Sequence, residues 1–214
     1  MAKKRISDVL IEVLANAGIE RIYGITGDSL NSVNDSLRRN GKIQFEHVRH
    51  EESAAFAAGA EALLTGKLTV CAGSSGPGNL HLINGLFDCH RNRVPALAIA
   101  SHIPQSEVGL NYFQETHPEN LFKECSCFCE LVSNPKQIPE ILFRAMNAAV
   151  GNRDVAVIVL PGDVAVMETE IDELPTWHAP KLPRVIPQSE DILEMVQHIN
   201  NGKRITLFCG AGCA

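Results

Sequence analysis

The sequence predicts an α/β protein built on a doubly wound, mostly parallel six-stranded sheet with helices on both faces, followed by the start of a second domain. Two observations support this prediction. Segments with strand-like and helix-like periodicity alternate over the first 160 residues, and the strand-like segments, such as VAVIVL at 155–160, are almost entirely apolar. Apolar strands that alternate with helices are typical of a parallel sheet covered on both faces.

The first part of the chain provides three of the strands. Ser7 is a candidate cap for a helix that Gly18 ends, and the Asn40–Gly41 pair ends a second helix that follows the turn at 26–29. His50 opens a third, alanine-rich helix. The predicted strands lie at 21–25, 43–48 and 68–72.

The second part completes the sheet. A glycine-rich turn at 73–78 leads into a helix over 79–90, and a loop is expected at 101–118. The remaining helices are predicted at 119–124 and 139–150, and the remaining strands at 95–100, 127–132 and 155–160. Ligands of such sheets bind at the carboxyl ends of the strands, where the glycine turns lie.

The composition changes after about residue 175, which suggests a domain boundary. We expect a first domain over 1–175 and a proline-punctuated linker over 176–188. Residues 189–214 then read as the truncated start of a second domain, with a helix over 189–200 and a strand over 205–209. A single helix and strand cannot bury a core, so the chain is expected to be a fragment of a longer protein.

Charge and hydropathy exclude several classes of protein. The formal net charge is −6 and the basic residues are scattered, so nucleic acid is not an expected partner. No run of 18 apolar residues and no signal peptide is present in the printed sequence, which favours a cytoplasmic location.

The seven cysteines indicate a reducing compartment, because they are odd in number and lie mostly in apolar runs. Cys71, Cys89 and Cys209 are expected to act as small hydrophobic residues. Three further cysteines are spaced two residues apart, so their side chains would lie on one face of a strand: Cys125, Cys127 and Cys129. Core packing is favoured over zinc binding for these three, because the paired spacing of zinc knuckles is absent.

The pair of acids Glu51 and Glu52 precedes a helix rich in alanine and glycine. Small residues allow close approach of another backbone or a flat ligand, and an acid facing that surface would be a candidate functional group. Alternatively, the two carboxylates only interact favourably with the positive, N-terminal end of the helix dipole and have no functional role. His50 and Glu51 match the first two residues of the zinc-protease helix motif, but Ala54 occupies the position at which that motif requires a second histidine. No metal ligand is therefore assigned.

The turn GSSGPG at 73–78 could hold phosphate at a helix N-terminus, but it lacks the ending of a P-loop and the dinucleotide spacing. His81, in the helix that follows, could reach a ligand at the sheet edge, or could satisfy a local hydrogen bond. The C-terminal Gly-Ala-Gly is too short to indicate a nucleotide site.

Four segments, in order, resemble a known family: TGDSLN (26–31), RHEESAAFAAGAEA (49–62), GPGNLHLINGLFDCHRN (76–92) and YFQETHP (112–118). They are similar to the N-terminal pyrimidine-binding domain of thiamine-diphosphate-dependent pyruvate oxidases, in particular the quinone-linked pyruvate dehydrogenases. The resemblance implies that Glu51 hydrogen-bonds N1′ of the cofactor and activates it. It also implies cofactor contacts from Gly27, Pro77 and His81, and a substrate pocket lined across a subunit interface by Asp28, Phe113 and Gln114.

The resemblance further implies oxidative decarboxylation of pyruvate to acetate and CO2, with electrons passing through FAD to a membrane quinone. The sites for FAD and Mg²⁺ would lie outside this chain, which alone would be inactive. The complete enzyme would be a homodimer or homotetramer that is cytoplasmic or peripheral to the inner face of the cell membrane. The alternatives are an acetyl-phosphate-forming oxidase, a non-redox decarboxylase or carboligase such as acetolactate synthase, and a stand-alone interaction module.

Overall fold

The computed structural model of the chain describes residues 3–171, 174, 176–181 and 183–210. The chain divides into two compact units, Met1–Pro180 and Lys181–Ala214. This division falls inside the segment 176–188 that the sequence suggests as a linker. The identities of the two domains remain predictions.

The first unit contains eight strands and seven helices among its described residues, with six of the strands in one sheet. The strands are β1 (Lys3–Arg5), β2 (Arg21–Gly24), β3 (Gln44–His47), β4 (Thr69–Gly73), β5 (Ala96–His102), β6 (Phe128–Leu131), β7 (Val155–Pro161) and β8 (Glu168–Glu170). The helices are α1 (Ile6–Asn16), α2 (Asn31–Asn40), α3 (Glu51–Thr65), α4 (Pro77–Arg91), α5 (Pro118–Leu121), α6 (Ile138–Asn152) and α7 (Gly162–Val166).

The six-stranded sheet has the order β3-β2-β4-β5-β7-β6, and every neighbouring pair is parallel. This confirms the predicted doubly wound fold. The sequence order reverses beside β2 and β4, so the carboxyl ends of the central strands form the edge at which ligands of such sheets bind.

Two hydrophobic cores cover the two faces of the sheet. Strand β7 is buried along its whole length, and its side chains alternate between the cores because successive residues of a strand point to opposite faces. Ala156, Ile158 and Leu160 pack in the core formed with α1, α2 and α6. Val155, Val157 and Val159 pack in the core formed with α3 and α4. This double burial explains the uninterrupted apolar runs in the sequence.

Helices α3 and α4 pack closely because small residues line their contact. A Cβ atom built on Gly85 of α4 would lie 2.5 Å from the Cβ atom of Ala55 and 2.9 Å from the backbone oxygen of Glu52. The alanine-rich sequence of α3 therefore serves first to bring the backbones of the two helices together. This packing fixes the N-terminal ends of both helices at the same edge of the sheet.

The boundaries of several elements differ from the predictions. Ser7 does not cap α1: it is buried within the helix, where its hydroxyl accepts a hydrogen bond from Ser36 Oγ at 3.0 Å. Strand β5 continues through His102, because it pairs with β7 to Pro161, so the loop begins later than expected. The short helix predicted at 119–124 is observed as α5, shifted towards Pro118.

A second, two-stranded antiparallel sheet, which β1 and β8 form, was not predicted from the sequence. Both strands are three residues long and polar, so they lack the apolar pattern from which strands are recognised.

The second unit contains the helix α8 (Ser189–Asn201), as predicted. Glu190 and Asp191 lie in its first turn, where negative charge is favourable. The predicted strand at 205–209 is wrong: 205–210 have no regular secondary structure, because no described residue of this unit forms a strand beside them. Cys209, which was expected to pack as a small hydrophobic residue, is exposed.

Among the residues that the structure describes, none of the helices combines the length and the apolar character needed to cross a bilayer.

Candidate active site

The candidate site lies at the carboxyl edge of the central strands. Helix α3 begins at Glu51, shortly after β3 ends, and α4 begins at Pro77, shortly after β4 ends. The parallel arrangement of β3, β2 and β4 places both helix starts at one edge of the sheet. The first turns of α3 and α4 therefore face a common region.

Glu51 is the buried acid of this region. Its side chain is only 10% exposed, and its Oε2 lies 3.0 Å from Nδ1 of His81. A Cβ atom built on Gly78 would lie 3.3 Å from Oε1 of Glu51. Oε2 of Glu51 thus contacts the imidazole of His81, and Oε1 lies near the backbone of Gly78, which carries no side chain.

The start of α3 explains how Glu51 is positioned. His50 is the N-cap residue, with an extended backbone (φ −157°, ψ 139°), and its Nδ1 accepts a hydrogen bond from the backbone N–H of Glu52 at 3.2 Å. The cap satisfies one of the free N–H groups of the first turn. Glu51 is then the first residue of the helix, and its negative charge lies at the favourable end of the dipole.

The two histidines of the site stack on each other. The ring centroids of His50 and His81 are 4.4 Å apart, with an angle of 28° between the planes. Both side chains are about half exposed. An ionised carboxylate can only accept hydrogen bonds, so His81 must carry a hydrogen on Nδ1 when Glu51 is charged. His81 therefore makes the local hydrogen bond that the sequence analysis considered, and it makes that bond to Glu51.

Glu52 has a different environment from Glu51. Its Oε1 accepts a hydrogen bond from Asn84 Nδ2 at 2.9 Å, and its side chain is 38% exposed. The two adjacent acids thus lie on different parts of the helix surface, and only Glu51 is enclosed by the sheet edge.

The glycine-rich turn before α4 is held rigidly against the neighbouring strand ends. The backbone N–H of Ser75 donates to Ser29 Oγ at 2.9 Å, and Ser101 Oγ donates to the carbonyl oxygen of Ser29 at 2.6 Å. Asn79 Nδ2 in turn donates to the carbonyl oxygen of Ser101 at 2.7 Å. These bonds connect the segments that follow β2 and β4 with β5, so the floor of the site is a single network.

Two of the other predicted site residues contact this turn. A Cβ atom on Gly27 would lie 2.6 Å from Ser74 Cβ, so only glycine fits there. Gln114 adopts a positive φ of 65°, and a Cβ atom on Gly76 would lie 2.8 Å from its carbonyl oxygen. Gln114 Oε1 also accepts a hydrogen bond from Ser75 Oγ at 3.4 Å. The loop that carries Gln114 therefore packs on the turn that precedes α4.

The remaining predicted residues are exposed. Pro77 occupies the first turn of α4, and Asp28 begins a short 3₁₀ turn after β2. Phe113 is 78% exposed beside Gln114 in the loop. Their positions leave them free to meet a ligand or a second subunit, and their proposed roles rest on the resemblance.

The site also contains a group of side chains that sequence reasoning did not assign. His50, Glu51 and His81 each offer a metal-ligand atom, and these atoms lie within 4.8 Å of one another. From the sequence, His50 is the residue that opens α3 and the first residue of an incomplete protease motif, and neither interpretation makes it a ligand. Its position immediately before an acid at a helix start was the available signal, but the stacking on His81 depends on the packing of α3 against α4.

The cysteine cluster is not part of the site. Within the described part of the chain, Cys125, Cys127 and Cys129 do not form a close group of metal ligands. Burial raises the pKa of the Cys125 thiol to about 11 and that of the Cys129 thiol to about 12, whereas Cys127 is an exposed residue. Core packing therefore accounts for Cys125 and, in part, for Cys129.

Comparison with known proteins identifies the first part of the chain. Residues 4–121 match the family model described as thiamine pyrophosphate enzyme, N-terminal TPP binding domain. The matched region contains the whole of the candidate site, from Gly27 to Gln114.

Three relatives show the range of similar proteins. The chain is 59% identical, over its full length, to a 42.6 kDa protein encoded in the isoamylase 3′ region of Pseudomonas amyloderamosa, of which it covers 54%. It is 32% identical over 95% of its length to pyruvate oxidase of Lactiplantibacillus plantarum, of which it covers 34%. It is 29% identical over 97% of its length to chloroplastic acetolactate synthase of Arabidopsis thaliana, of which it covers 32%. The chain thus spans between one third and about half of these relatives.

Proposed function

The chain belongs to the thiamine pyrophosphate enzyme family, as the part that forms the N-terminal TPP-binding domain, and on this basis we propose that it is the pyrimidine-binding part of a pyruvate oxidase that passes electrons through FAD to a quinone. The complete reaction would convert pyruvate to acetate and CO2. FAD and Mg²⁺ would bind to parts of the full-length protein outside this chain. A quinone acceptor would bring the complete enzyme to the membrane surface.

The main support for this proposal is the environment of Glu51. Its carboxylate is nearly buried and lies at the ligand-binding edge of a parallel sheet. It also lies next to the backbone of Gly78, where an added Cβ atom would obstruct the approach of a ligand. A flat aromatic ring needs such an open approach, and a ring nitrogen needs a carboxyl group with which to share a proton. The residues present therefore fit the aminopyrimidine end of thiamine diphosphate.

Glu51 would hold and return a proton at N1′ of the aminopyrimidine. The low exposure of its side chain excludes water that would otherwise compete for this hydrogen bond. His81 would orient the carboxylate through the contact with Oε2 and leave Oε1 for the ring. When bound, thiamine diphosphate supplies a nucleophilic carbon and an electron-accepting ring for the decarboxylation of pyruvate.

The other residues of the site would position the cofactor and the substrate. Gly27 and Pro77 would contact the cofactor, because Gly27 lies just after the carboxyl end of β2 and Pro77 begins α4 just after the carboxyl end of β4. Asp28, Phe113 and Gln114 would line the substrate pocket across the interface of a homodimer or homotetramer. The exposure of Phe113, a large aromatic side chain, supports a surface that a second subunit covers.

Assay of the complete protein tests this proposal. The full-length protein should be yellow when purified, should contain FAD, and should reduce an artificial electron acceptor in the presence of pyruvate and thiamine diphosphate. Condensation of two pyruvate molecules without reduction of the acceptor would instead identify an acetolactate synthase, which the similarity to the Arabidopsis enzyme keeps as the second candidate.

Two further outcomes are distinguished by the same assay. Formation of acetyl phosphate with oxygen as the acceptor would identify an acetyl-phosphate-forming oxidase. A complete lack of turnover, with no coding sequence beyond Ala214 in the gene, would favour a stand-alone interaction module. Both outcomes would contradict the proposed quinone-linked oxidase.

A further inference from the structure

We infer that His50, Glu51 and His81 form a binding site for a borderline transition-metal cation, with Zn²⁺ as the representative, and that metal binding there blocks the proposed cofactor role of Glu51. The metal site itself rests only on the three side chains. Its effect on the cofactor rests on the proposed function.

The set of donor atoms is suited to zinc. Two imidazoles and one carboxylate are the protein ligands of many catalytic zinc sites, with water in the fourth position. Borderline cations such as Zn²⁺ prefer imidazole nitrogen, whereas Mg²⁺ and Ca²⁺ prefer oxygen. The two histidines therefore select against the cation that the complete enzyme would need elsewhere.

The geometry requires only small side-chain movements. The three ligand atoms lie within 4.8 Å of one another, and the contact between His81 Nδ1 and Glu51 Oε2 is already 3.0 Å. Ligand atoms of a tetrahedral zinc site are about 3.4 Å apart, given Zn–N and Zn–O distances of about 2.1 Å. Glu51 is fixed by burial, whereas both imidazoles are about half exposed and can rotate to close the remaining gap.

The existing hydrogen bonds set a cost for binding. A neutral imidazole has a single lone-pair nitrogen, and that of His50 accepts the N–H of Glu52 at the start of α3. His50 must release this N–H to bind a metal, and the first turn of α3 loses its side-chain cap. His81 must move its hydrogen from Nδ1 to Nε2 before Nδ1 can bind a metal, and its hydrogen bond to Glu51 is then replaced by the two bonds to the metal. The site should therefore bind zinc reversibly, and more weakly than closed structural zinc sites do.

Metal binding and the proposed cofactor role oppose each other at Glu51. A cation bound at Oε2 of Glu51 lowers the proton affinity of the whole carboxylate, so Oε1 would no longer take up and return a proton at the ring nitrogen. Zinc should therefore act as an inhibitor whose effect is relieved by thiamine diphosphate.

Isothermal titration of the 214-residue chain with ZnCl2 tests the site directly. The exposed Cys127 and Cys209, together with Cys213 from outside the described residues, are first replaced by serine to remove binding to thiols. We expect one zinc per chain, and at least about tenfold weaker binding in His50→Ala, His81→Ala and Glu51→Gln. His198→Ala, which removes an exposed imidazole of α8, is the matched control and should bind as the parent does.

Two results would overturn the inference: no zinc binding in the parent, or equal affinity in the parent and in all three site variants. Co²⁺ provides a second measurement, because a tetrahedral site gives intense visible absorption that His81→Ala should abolish. Circular dichroism of each variant must match the parent, so that loss of binding is not loss of fold.

Competition in the full-length enzyme is tested separately. With Mg²⁺ in excess, added Zn²⁺ should raise the concentration of thiamine diphosphate needed for half-maximal activity, and His50→Ala should reduce this effect. Zinc binding without any effect on the cofactor would leave the metal site standing and would overturn its inferred effect on Glu51, whereas the turnover of Glu51→Gln without zinc tests the proposed function by itself. Failure of the site and failure of the function are therefore distinguishable.

Discussion

His81 Nδ1 lies 3.0 Å from Glu51 Oε2, although the two residues are 30 positions apart in the sequence and belong to different helices. This contact joins the first turn of α3 to that of α4. Together with the burial of the side chain, it gives Glu51 a fixed direction. The direction of this one acid is the feature on which the proposed chemistry depends.

The packing that creates this contact can be tested at Gly85. Gly85→Ala should destabilise the chain by about 1–3 kcal/mol, because the added Cβ would meet the Cβ of Ala55 and the backbone of α3, neither of which can rotate away. Urea unfolding followed by circular dichroism measures the change.

Gly151→Ala is the matched control. Gly151 also lies within a helix, but nothing is within 4 Å of its added Cβ. The substitution should therefore stabilise the chain by about 0.5–1 kcal/mol, because alanine loses less backbone entropy in a helix. If both variants unfolded at the same urea concentration, the close approach of α3 and α4 would be wrong.

Acid should destabilise the chain partly through His102. Burial lowers the pKa of His102 below its usual value, against the opposing charges of Glu119 and Glu115, and its Nδ1 is buried with no partner among the described residues. The unfolded state then binds more protons than the folded state at pH values below about 6.5, so stability falls as the pH falls through this range.

Replacement of His102 separates this effect from general acid unfolding. The urea midpoint of His102→Gln should decline less between about pH 7 and pH 5 than that of the parent. His198→Gln, which removes an exposed imidazole instead, should keep the decline of the parent. Equal slopes in all three proteins would show that His102 is not buried in its neutral form.

Thiol reactivity should follow burial rather than position in the sequence. Cys209 is exposed and should react first with a thiol reagent. Cys127 should react more slowly, because partial burial of its sulfur raises its pKa and the thiolate is the reactive form. Buried Cys71 and Cys89 should react only on unfolding, since burial raises the pKa of both, that of Cys89 to about 12.

Mass spectrometry of peptides after short labelling gives the order of reaction in a Cys213→Ser background. Rapid labelling of Cys71 in the native chain would contradict the burial of β4 between the two layers of helices.

The fold was largely predictable because its signals are local. Strand β7 is apolar along its length, and the turn before α4 contains glycine where Gly76 adopts a φ of 66°. The β1–β8 pair was not predictable, because Lys3–Arg5 has no apolar pattern and pairs with residues far along the chain. The prediction of a strand at 205–209 was wrong for the opposite reason. The segment has the apolar pattern of a strand, but a strand also needs a neighbouring strand with which to pair.

The site was predictable only in part. The sequence placed Glu51 and His81 after successive strands of a parallel sheet, which brings them to one edge. Their contact, and the stacking of His50 on His81, depend on side-chain directions that arise only when α3 packs on α4. The pattern of residues in the sequence predicts the edge of the sheet at which the site lies. The hydrogen-bond partners within the site depend on tertiary packing and could not be predicted from that pattern.

Turnover of the full-length protein carrying Glu51→Gln tests the central claim most directly, with Glu52→Gln as the control. Glutamine keeps the size of the side chain but cannot exchange a proton with N1′, so we predict a loss of turnover of at least about tenfold without a change in the urea midpoint. Glu52→Gln should be much milder, because Glu52 contacts Asn84 at the surface. Near-parental turnover of Glu51→Gln would contradict the proposed role of this residue.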